Sequence, residues 1–456
     1  MPPDRLTGCR EAHFLVGWVE SSKPNSDWHA WVLGFEDSTQ PTKTGQTIPM
    51  LKLDLIQTLA FGGLALMLGY ALRRWVPAFA RYNLPAPVLG GLLVAIILLA
   101  SRSNSGEMVI TFDTTLQSPL MIAFFTTIGF GASLSLLRSG GPQVLIFLAI
   151  ATVFAIAQNL LGILVAMSFG LHPLFGVLAG SVTLTGGPAT GLAFAPLFEQ
   201  AGVPAAASVA VAVAMAGIVA GGIVGGPIGT MLIERFGLRS NVRPHAEITV
   251  TTEVTMDGDT PESPSAEDSG ETFAVLKSVV VILLAMWVGS WVSKGFGAIG
   301  FTLPAYIGAM LVAAVIRNID DATGWLGLST RIIDVIGAVS LALFLALALM
   351  TLKLWELATL AGPIVVTIVL QVILVGIAAR WLVFRFMGRD YEAAVMSGGF
   401  IGFMLGTTAN AMAVMSTLVE RHGPAPRAFL VAPMVGAFFI DFTNALIITG
   451  ALNILG

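Results

Sequence analysis

The stretch of sequence that decides the fold runs from Gly180 to Pro188 and reads GSVTLTGGP. It lies inside the longest uncharged part of the chain, because none of the 60 residues between Arg138 and Glu199 is Asp, Glu, Lys or Arg. An uncharged stretch of this length indicates a lipid environment, whereas glycines and hydroxyl residues in a row indicate irregular backbone. Irregular backbone at membrane depth is stable only when it is buried in protein or lines a wet cavity. The stretch therefore predicts a break between helices of a membrane protein, at a point suited to binding.

The composition of the whole chain also indicates a membrane protein. Of its 456 residues, 55% are hydrophobic and 11% are charged, whereas a soluble domain carries roughly 25% charged residues. This excludes a soluble enzyme and a disordered chain, and the net charge of −4 offers no field for nucleic acid. The single cysteine, Cys9, excludes an intrachain disulfide framework. The sequence has no Gly-x-x-x-x-Gly-Lys-Ser/Thr, Ser-His-Asp or His-Glu-x-x-His arrangement, so we expect neither an ATP-driven pump nor another enzyme.

Hydrophobic segments fall into two sets of six, separated by a polar stretch. The first set lies at about 53–72, 84–100, 118–137, 143–169, 172–198 and 203–233, and the second at about 273–293, 303–316, 332–350, 361–384, 394–419 and 428–452. The polar stretch 236–272 is rich in acids, Ser, Thr and Pro, a composition typical of a disordered linker. We therefore divide the chain into a first transmembrane repeat, 51–235, the linker 236–272, and a second transmembrane repeat, 273–456.

The two halves resemble each other in sequence as well as in layout. The tripeptide Leu-Pro-Ala begins at Leu84 and again at Leu303, and the pattern Glu-x-x-Gly begins at Glu199 and again at Glu420. The first pair is separated by 303 minus 84, or 219 positions, and the second by 420 minus 199, or 221. Matches in the same order at a nearly constant offset are typical of transporters built from internal repeats.

Positive charge decides how the two halves are oriented. If the fifth segment of each half enters and leaves on the same side of the membrane, 15 of the 18 Lys and Arg residues beyond residue 52 face the cytoplasm. If both fifth segments cross, 8 face the cytoplasm and 10 lie outside. The charge rule therefore predicts an all-α polytopic membrane protein of ten spans, as two inverted repeats of five transmembrane helices, each with a Gly-rich re-entrant segment. Both termini are then extracytoplasmic and the central linker is cytoplasmic.

Residues 1–50 fit neither repeat, because they are polar and lack an apolar core of signal-peptide length. Two interpretations stay open: an extracytoplasmic tail, and a start of translation at Met50, just before the first span. We favour Met50, since a polar segment with six acids and four bases has no evident use outside the membrane.

The glycines and polar residues of the two re-entrant segments are the candidates for binding substrate and ion. Broken helices expose N–H groups that attract anions and C=O groups that coordinate cations such as sodium. The candidates are Ser181, Thr183, Thr185, Gly186, Gly187 and Thr190 in the first half, and Gly406, Thr407, Thr408 and Asn410 in the second. The alternative is that small residues merely permit close packing of helices in lipid. Their clustering in the segments that the charge rule keeps from crossing favours binding.

Asp441 is the sharpest single candidate. It is the only charged residue from Ala428 to the C-terminus, and it lies near the middle of the last span. An ionisable group at that depth is costly unless it is paired or solvated, so function is the default hypothesis. Together with Asn444, one turn along the same face, its carboxylate is suited to bind sodium or a proton; the alternative is a protonated Asp bonded to a neighbouring helix. We expect sodium to be held by Thr185, Thr408 and Asp441.

Gln158 and Asn159, in the middle of the fourth span, are ambiguous in the same way. Amides at such positions often join helices by hydrogen bonds. Both a joining role and a binding role stay open.

Four longer stretches resemble the bacterial sodium–glutamate symporter family. They are Leu84–Val94 (LPAPVLGGLLV), Leu178–Gly187 (LAGSVTLTGG), Leu343–Leu357 (LFLALALMTLKLWEL) and Ala428–Asp441 (AFLVAPMVGAFFID). The resemblance covers nearly everything from Met50 to the end. It implies a homodimeric secondary transporter with inverted five-span repeats, whose re-entrant segments form the site and which moves by an elevator-type mechanism. It also implies symport of L-glutamate across the bacterial inner membrane, with Na⁺ as the coupling ion and no cofactor.

The chain departs from the usual pattern of that family in both re-entrant segments. Where the family typically has histidine, this chain has Pro188 in the first segment and Phe400 in the second, and Ala409-Asn410 stands where a Pro-Thr pair is common. Two alternatives to glutamate symport therefore stay open. One is a sodium- or proton-coupled carrier of another small carboxylate or amino acid, and the other is a non-transporting sensor or channel on the same fold.

Overall fold

The computed structural model describes residues 51–105, 110–135, 141–240, 267–298 and 303–456. The predicted extension 1–50, with the proposed start at Met50, lies outside the described residues. So does most of the predicted linker, from 241 to 266, and the chain re-enters the described part as a helix at Glu267.

Helices make up nearly all of the described chain. Those of the first half are α1 Leu55–Trp75, α2 Pro77–Arg81, α3 Ala86–Ser105, α4 Gln117–Gly131, α5 Gly141–Ser168, α6 Pro173–Val182, α7 Gly187–Gln200 and α8 Ala206–Arg235. Those of the second half are α9 Glu267–Ala298, α10 Ala305–Thr323, α11 Thr330–Met350, α12 Ala361–Phe386, α13 Tyr391–Met404, α14 Thr408–His422, α15 Pro426–Met434 and α16 Ile440–Leu455. Two short strands, β1 Leu51–Lys52 and β2 Ile110–Thr111, pair in parallel.

Six of the described helices are long and apolar enough to cross a bilayer: α1, α5, α8, the part Glu271–Ala298 of α9, α11 and α12. Helical spacing places large apolar side chains on their outer faces, such as Leu64 with Met67 and Trp287 with Trp291, all exposed. Outer faces of this kind belong in lipid, because in water they would form large apolar patches. The predicted class, an all-α membrane protein, is confirmed. The number of ten spans and the inverted relation of the halves stay predictions.

Each predicted fifth segment consists of two helices separated by a short break. In the first half, 172–198 is divided into α6 and α7, and in the second, 394–419 is divided into α13 and α14. We call the residues Thr183–Gly186 the first break and Leu405–Thr407 the second break. The glycines and hydroxyl residues that suggested irregular backbone therefore do interrupt helices at both places.

Helices α13 and α14 run antiparallel and touch along their length through glycine. A Cβ on Gly399 would lie 2.6 Å from the sulfur of Met415, and one on Gly402 would lie 3.0 Å from the carbonyl oxygen of Asn410. Larger side chains at these positions would force the two helices apart, because real Cβ atoms do not approach other atoms so closely. Because α13 and α14 run antiparallel, the end of α14 lies near the start of α13, where the hydroxyl of Tyr391 donates to the carbonyl of Gly423.

The helices pack in two groups. Helices α1, α3, α4, α9, α10 and α11 contact one another closely, and so do α5 to α8 with α12 to α16. Within the first group, backbones meet through glycine: a Cβ on Gly69 would lie 2.0 Å from the carbonyl oxygen of Ala86. Contacts between the groups are sparser and use apolar side chains, such as the perpendicular rings of Phe194 and Tyr306, 5.3 Å apart.

The last predicted span is not one uniform helix. Between α15 and α16, residues Val435–Phe439 form a wider π-helical turn, next to Pro433. At the end of this turn the N–H of Ile440 donates to the carbonyl of Val435, five residues earlier. The wide turn brings Gly436 against Thr408, where a Cβ would lie 2.5 Å from the threonine hydroxyl oxygen.

Candidate functional site

The two breaks, the wide turn and the first helix group meet around a cavity of about 350 Å³. We call it the central cavity. Its walls are formed by Tyr70, Arg73, Pro85, Ala86, Pro87, Phe124, Thr185, Gly186, Pro188, Ala189, Ala338, Leu341, Ala342, Leu345, Phe403, Thr407, Thr408, Gly436 and Asp441. Most of these side chains are apolar, with a few polar groups among them, the usual make-up of a small-molecule site.

The first break is held in place by side chains of α5. The hydroxyl of Thr185 donates to Oε1 of Gln158 at 2.6 Å, and the N–H of Gly186 donates to the carbonyl of Ser181 at 3.0 Å. Gly187 then begins α7 with a φ of +69°, a conformation that other residues rarely adopt. A Cβ on it would lie 3.2 Å from the methyl carbon of Thr407, so the two breaks touch at this point.

The second break ends in an extended residue. Thr407 has φ −144° and ψ 170°, and α14 begins at the next residue, Thr408. The structure brings both threonines to the central cavity. Among the described residues, neither hydroxyl has a hydrogen-bond partner in the protein.

Two helices therefore begin at the central cavity, α7 of 14 residues and α14 of 15 residues. The first N–H groups of a helix have no partner inside it, and the helix dipole adds a partial positive charge there. Residues in the first turn of each helix, including Pro188 and Thr408, line the cavity. The arrangement favours negative charge on a bound molecule.

One residue of each charge lines the cavity, Asp441 from α16 and Arg73 from the last turn of α1. Within the described ranges, neither side chain makes an ion pair or a hydrogen bond with another protein group. Both charges are available to a bound molecule or ion. A charge facing such a cavity deep in a membrane protein indicates function rather than packing.

The structure brings five of the predicted site residues to the cavity wall: Thr185, Gly186, Thr407, Thr408 and Asp441. The three residues predicted to hold sodium, Thr185, Thr408 and Asp441, are all among them. The remaining predicted residues lie outside the cavity wall: Ser181, Thr183, Gly187, Thr190, Gly406, Asn410 and Asn444.

Several of these outer residues fix the backbone of the breaks. The hydroxyl of Thr183 donates to the carbonyl of Leu178 at 2.8 Å. The amide of Asn410 donates to the carbonyl of Ile218 at 3.0 Å and to that of Gly402 at 3.3 Å. The bonds to Leu178 and Gly402 occupy carbonyls near the ends of α6 and α13, and the bond to Ile218 joins the start of α14 to α8.

Asn444 does not line the cavity beside Asp441, although the two residues are one turn apart. Its side-chain nitrogen donates to the carbonyl of Ser181 at 3.0 Å, and its side chain is buried. The predicted pair therefore contacts two different places, with Asp441 at the cavity and Asn444 behind the first break.

Sequence reasoning missed Arg73 and Tyr70 and left Gln158 undecided. Arg73 was counted only as a charge that sets orientation, because nothing in the sequence of α1 shows that its end lies beside the breaks. Gln158 is fully buried and bonded to Thr185. The sequence signal for Gln158 was its depth in an apolar span. A role in joining helices by hydrogen bonds explained that depth as well as a role in binding did.

No group of three or more His, Cys, Asp and Glu side chains suited to a metal occurs in the part of the chain that the structure describes. The side-chain oxygens of the cavity wall are the hydroxyls of Tyr70, Thr185, Thr407 and Thr408 and the carboxylate of Asp441. Oxygen donors of this kind, with backbone carbonyls, suit an alkali cation such as sodium.

Residues 51–424 match the family model for the sodium/glutamate symporter, which is most of the chain. The chain belongs to the sodium/glutamate symporter family. Curated relatives carry the same description. The sodium/glutamate symporter of Escherichia coli (strain K12) is 40% identical over 400 residues, covering 88% of this chain and 97% of the relative. The one from Haemophilus influenzae (strain ATCC 51907 / DSM 11121 / KW20 / Rd) is 37% identical over 402 residues, covering 85% and 95%.

The two positions where the symporter family typically has histidine lie in different surroundings in this chain. Pro188 lines the central cavity in the first turn of α7. Phe400 is fully buried in α13, with its ring edge-on to Phe147 at 5.8 Å and to Phe154 at 5.3 Å. The phenylalanine therefore alters the packing of this family member behind the cavity, and only the proline alters the cavity wall.

Proposed function

We propose that this member of the symporter family carries L-glutamate together with Na⁺ through the central cavity. The observation that carries the proposal is that Arg73 and Asp441 line the same cavity, together with the first turns of two helices. An anion and a cation that enter together find one opposite charge each, so the filled cavity stays close to neutral. Family membership and the curated relatives support the same substrate and ion.

The carboxylates of glutamate bind Arg73 and the N–H groups at the start of α7 and α14. A guanidinium group matches a carboxylate with two parallel hydrogen bonds, and helix N-termini bind anionic substrate groups in transporters. Na⁺ binds the hydroxyls of Thr185 and Thr408 and the carboxylate of Asp441. Gly186 and Thr407 complete the wall, and Gly187, Thr190, Gly406 and Asn410 shape the breaks behind it.

The size of the cavity supports a small substrate. Ligand pockets in proteins occupy about 300–1,000 Å³, and the central cavity, at about 350 Å³, lies at the lower end of that range. A single amino acid with its coupling ion fits this space.

The transport movement is a displacement of the second helix group against the first, as in an elevator. The dense packing within each group and the sparser apolar contacts between them support this division. In the membrane, residues 51–235 and 273–456 form two inverted five-span repeats, ten spans in all, with α6–α7 and α13–α14 as the re-entrant segments. The working protein is a homodimer in the bacterial inner membrane, with both termini outside and the linker 236–272 in the cytoplasm.

Another small carboxylate or amino acid is the second candidate, favoured by one observation. Pro188 stands in the cavity wall where the family typically has histidine. Proline has no donor to offer a substrate, so the cavity offers one polar contact fewer than the family pattern.

Uptake into liposomes tests the proposal. Purified protein is reconstituted, and accumulation of labelled L-glutamate is measured with an inward Na⁺ gradient and with K⁺ in its place. We expect accumulation above equilibrium only with Na⁺, and stronger competition by unlabelled glutamate than by aspartate, glutamine or succinate. If one of these compounds competes better than glutamate, that compound would be identified as the substrate in place of glutamate. Downhill equilibration alone would indicate a channel, and no uptake of any acid would contradict the symporter.

The variant Asp441→Asn tests the ion site. We expect the Na⁺ concentration for half-maximal uptake to rise at least tenfold, because the only carboxylate of the cavity wall loses its charge. Asp113→Asn is the control, since it removes the same charge from a loop away from the cavity. An unchanged Na⁺ dependence in Asp441→Asn would return Asp441 to a packing role.

A further inference from the structure

Behind the first break lies a second group of polar atoms, separate from the central cavity. It is centred on Ser181, whose side chain and backbone are fully buried. The N–H of Ser181 donates to Oδ1 of Asn159 at 2.8 Å, and its carbonyl accepts from Nδ2 of Asn444 at 3.0 Å. Helices α5 and α16 therefore each supply one amide to the same peptide unit.

Four side-chain atoms of this network have no hydrogen-bond partner among the described residues. They are Ser181 Oγ, Asn444 Oδ1, Gln371 Oε1 and Asn159 Nδ2. All four side chains are at least nine-tenths buried, with Asn159 the most exposed at 5%. Buried polar atoms are almost always paired, so a group of four indicates that a water or an ion binds there. Three of the four are oxygens, which favours a cation over an anion.

The backbone at the same place is distorted. Gly180 has φ −100° and ψ −124°, which is not helical, inside the π-helical turn Leu178–Val182 that ends α6. A Cβ there would lie 2.7 Å from Oδ1 of Asn159 and 3.1 Å from the carbonyl of Gln158, so only glycine permits this approach. Gln371 of α12 donates to that same carbonyl of Gln158 at 2.7 Å, which connects its unpaired oxygen to the group. Unwound turns of this kind supply carbonyl oxygens to Na⁺ in transporters.

We propose that this network is a second Na⁺ site, with Ser181 Oγ and Asn444 Oδ1 as its central side-chain ligands. Gln371 Oε1 and carbonyls of the turn around Gly180 complete the coordination. The site rests on the proposed sodium-coupled function and adds a second ion to it, at a place that does not touch the substrate cavity.

Two connections link the second site to the central cavity. Asn444 and Asp441 are one turn apart on α16. Gln158 comes directly before Asn159 in α5, and its side-chain oxygen accepts a hydrogen bond from the hydroxyl of Thr185 at the cavity. An ion bound at Ser181 therefore fixes the backbone from which Thr185 reaches the cavity. Na⁺ at the second site tightens Na⁺ and substrate binding at the first.

Binding of ²²Na⁺ to the purified full chain tests the proposal, at constant ionic strength with choline as the replacement cation. We expect two Na⁺ per chain in the wild type and one in Ser181→Ala, with Asp441→Asn losing the other and the double variant losing both. Ser278→Ala is the matched control, because Ser278 is equally buried but bonds only to the carbonyl of Ala274 within α9. It should bind like the wild type.

Equal Na⁺ binding in Ser181→Ala and Ser278→Ala would overturn the second site and indicate a bound water there, while the symporter proposal would stand. No Na⁺ binding to the wild type would overturn both. If Ser181→Ala does not fold, hydrogen exchange of Asp441→Asn decides. Slower exchange in residues 177–183 with Na⁺ than with choline supports the second site, and unchanged exchange contradicts it.

Discussion

The side chain of Gln158 hydrogen-bonds to the chain at both breaks. Its Oε1 accepts from the hydroxyl of Thr185 in the first break, at 2.6 Å, and its Nε2 donates to the carbonyl of Met404 just before the second, at 2.9 Å. The side chain is fully buried. We predict that Gln158→Leu, which keeps the volume and removes both bonds, loosens the two breaks together.

The size of the effect follows from the groups left behind. A buried group that loses its partner costs about 1–3 kcal/mol, so the Thr185 hydroxyl and the Met404 carbonyl together cost about 2–6 kcal/mol. The apolar surface of leucine offsets about 1–2 kcal/mol of this. The net loss is about 2 kcal/mol of folding stability. Substrate binding needs both breaks in their native positions, and since 1.4 kcal/mol is tenfold in a binding constant, the KM for glutamate should rise by up to about thirtyfold.

Two measurements check this prediction: thermal unfolding of the purified protein in detergent, and Na⁺-driven glutamate uptake in liposomes. Gln143→Leu on the same helix is the matched control, because Gln143 is half-buried near the start of α5 and lies away from both breaks. We expect a lower unfolding temperature and a higher KM for Gln158→Leu alone. Equal values for the two variants would refute the bridging role of Gln158.

Two further predictions concern the central cavity and the contact between α13 and α14. Arg73→Gln should raise the KM for glutamate at least tenfold, because it removes the cation from the cavity wall. Arg74→Gln is the control, since Arg74 is exposed and away from the wall, and it should leave the uptake kinetics unchanged. Equal KM values for the two variants would remove Arg73 from the site. Gly399→Ala should destabilise the protein by about 1–3 kcal/mol through overpacking, since the new Cβ meets Met415. Gly63→Ala is the control, because Gly63 has open space around it, and it should be neutral in thermal unfolding. An unfolding temperature of Gly399→Ala equal to that of the wild type would contradict the close contact of α13 and α14.

The sequence predicted the parts of the site that depend on local chemistry. Glycine and hydroxyl clusters located both breaks, because such residues interrupt helices wherever they occur in apolar segments. The isolated charge of Asp441 singled out a carboxylate that does line the central cavity, because a charged group in an apolar span is costly unless it is paired or solvated. Thr185, Thr408 and Asp441 do share one cavity.

The parts that depend on packing between distant segments did not follow from the sequence. Arg73 reaches the cavity because α1 and α3 pack through Gly69, a contact that brings the end of α1 beside the breaks. Asn444 faces Ser181 rather than the cavity because its amide bonds to a carbonyl 263 positions earlier in the chain. Hydrogen bonds of such sequence separation leave no periodic pattern to detect.

The wide turn Val435–Phe439 determines the direction in which Asp441 points. A π-helical turn holds one residue more than an α-helical turn, and one residue corresponds to about 100° of rotation about the helix axis. The extra residue therefore sets the angular phase of everything that follows in α16. Removing one residue from the turn would rotate Asp441 by more than a quarter of a circle while leaving every side chain of α16 unchanged. The charge that faces the central cavity is therefore specified by chain length as much as by residue identity.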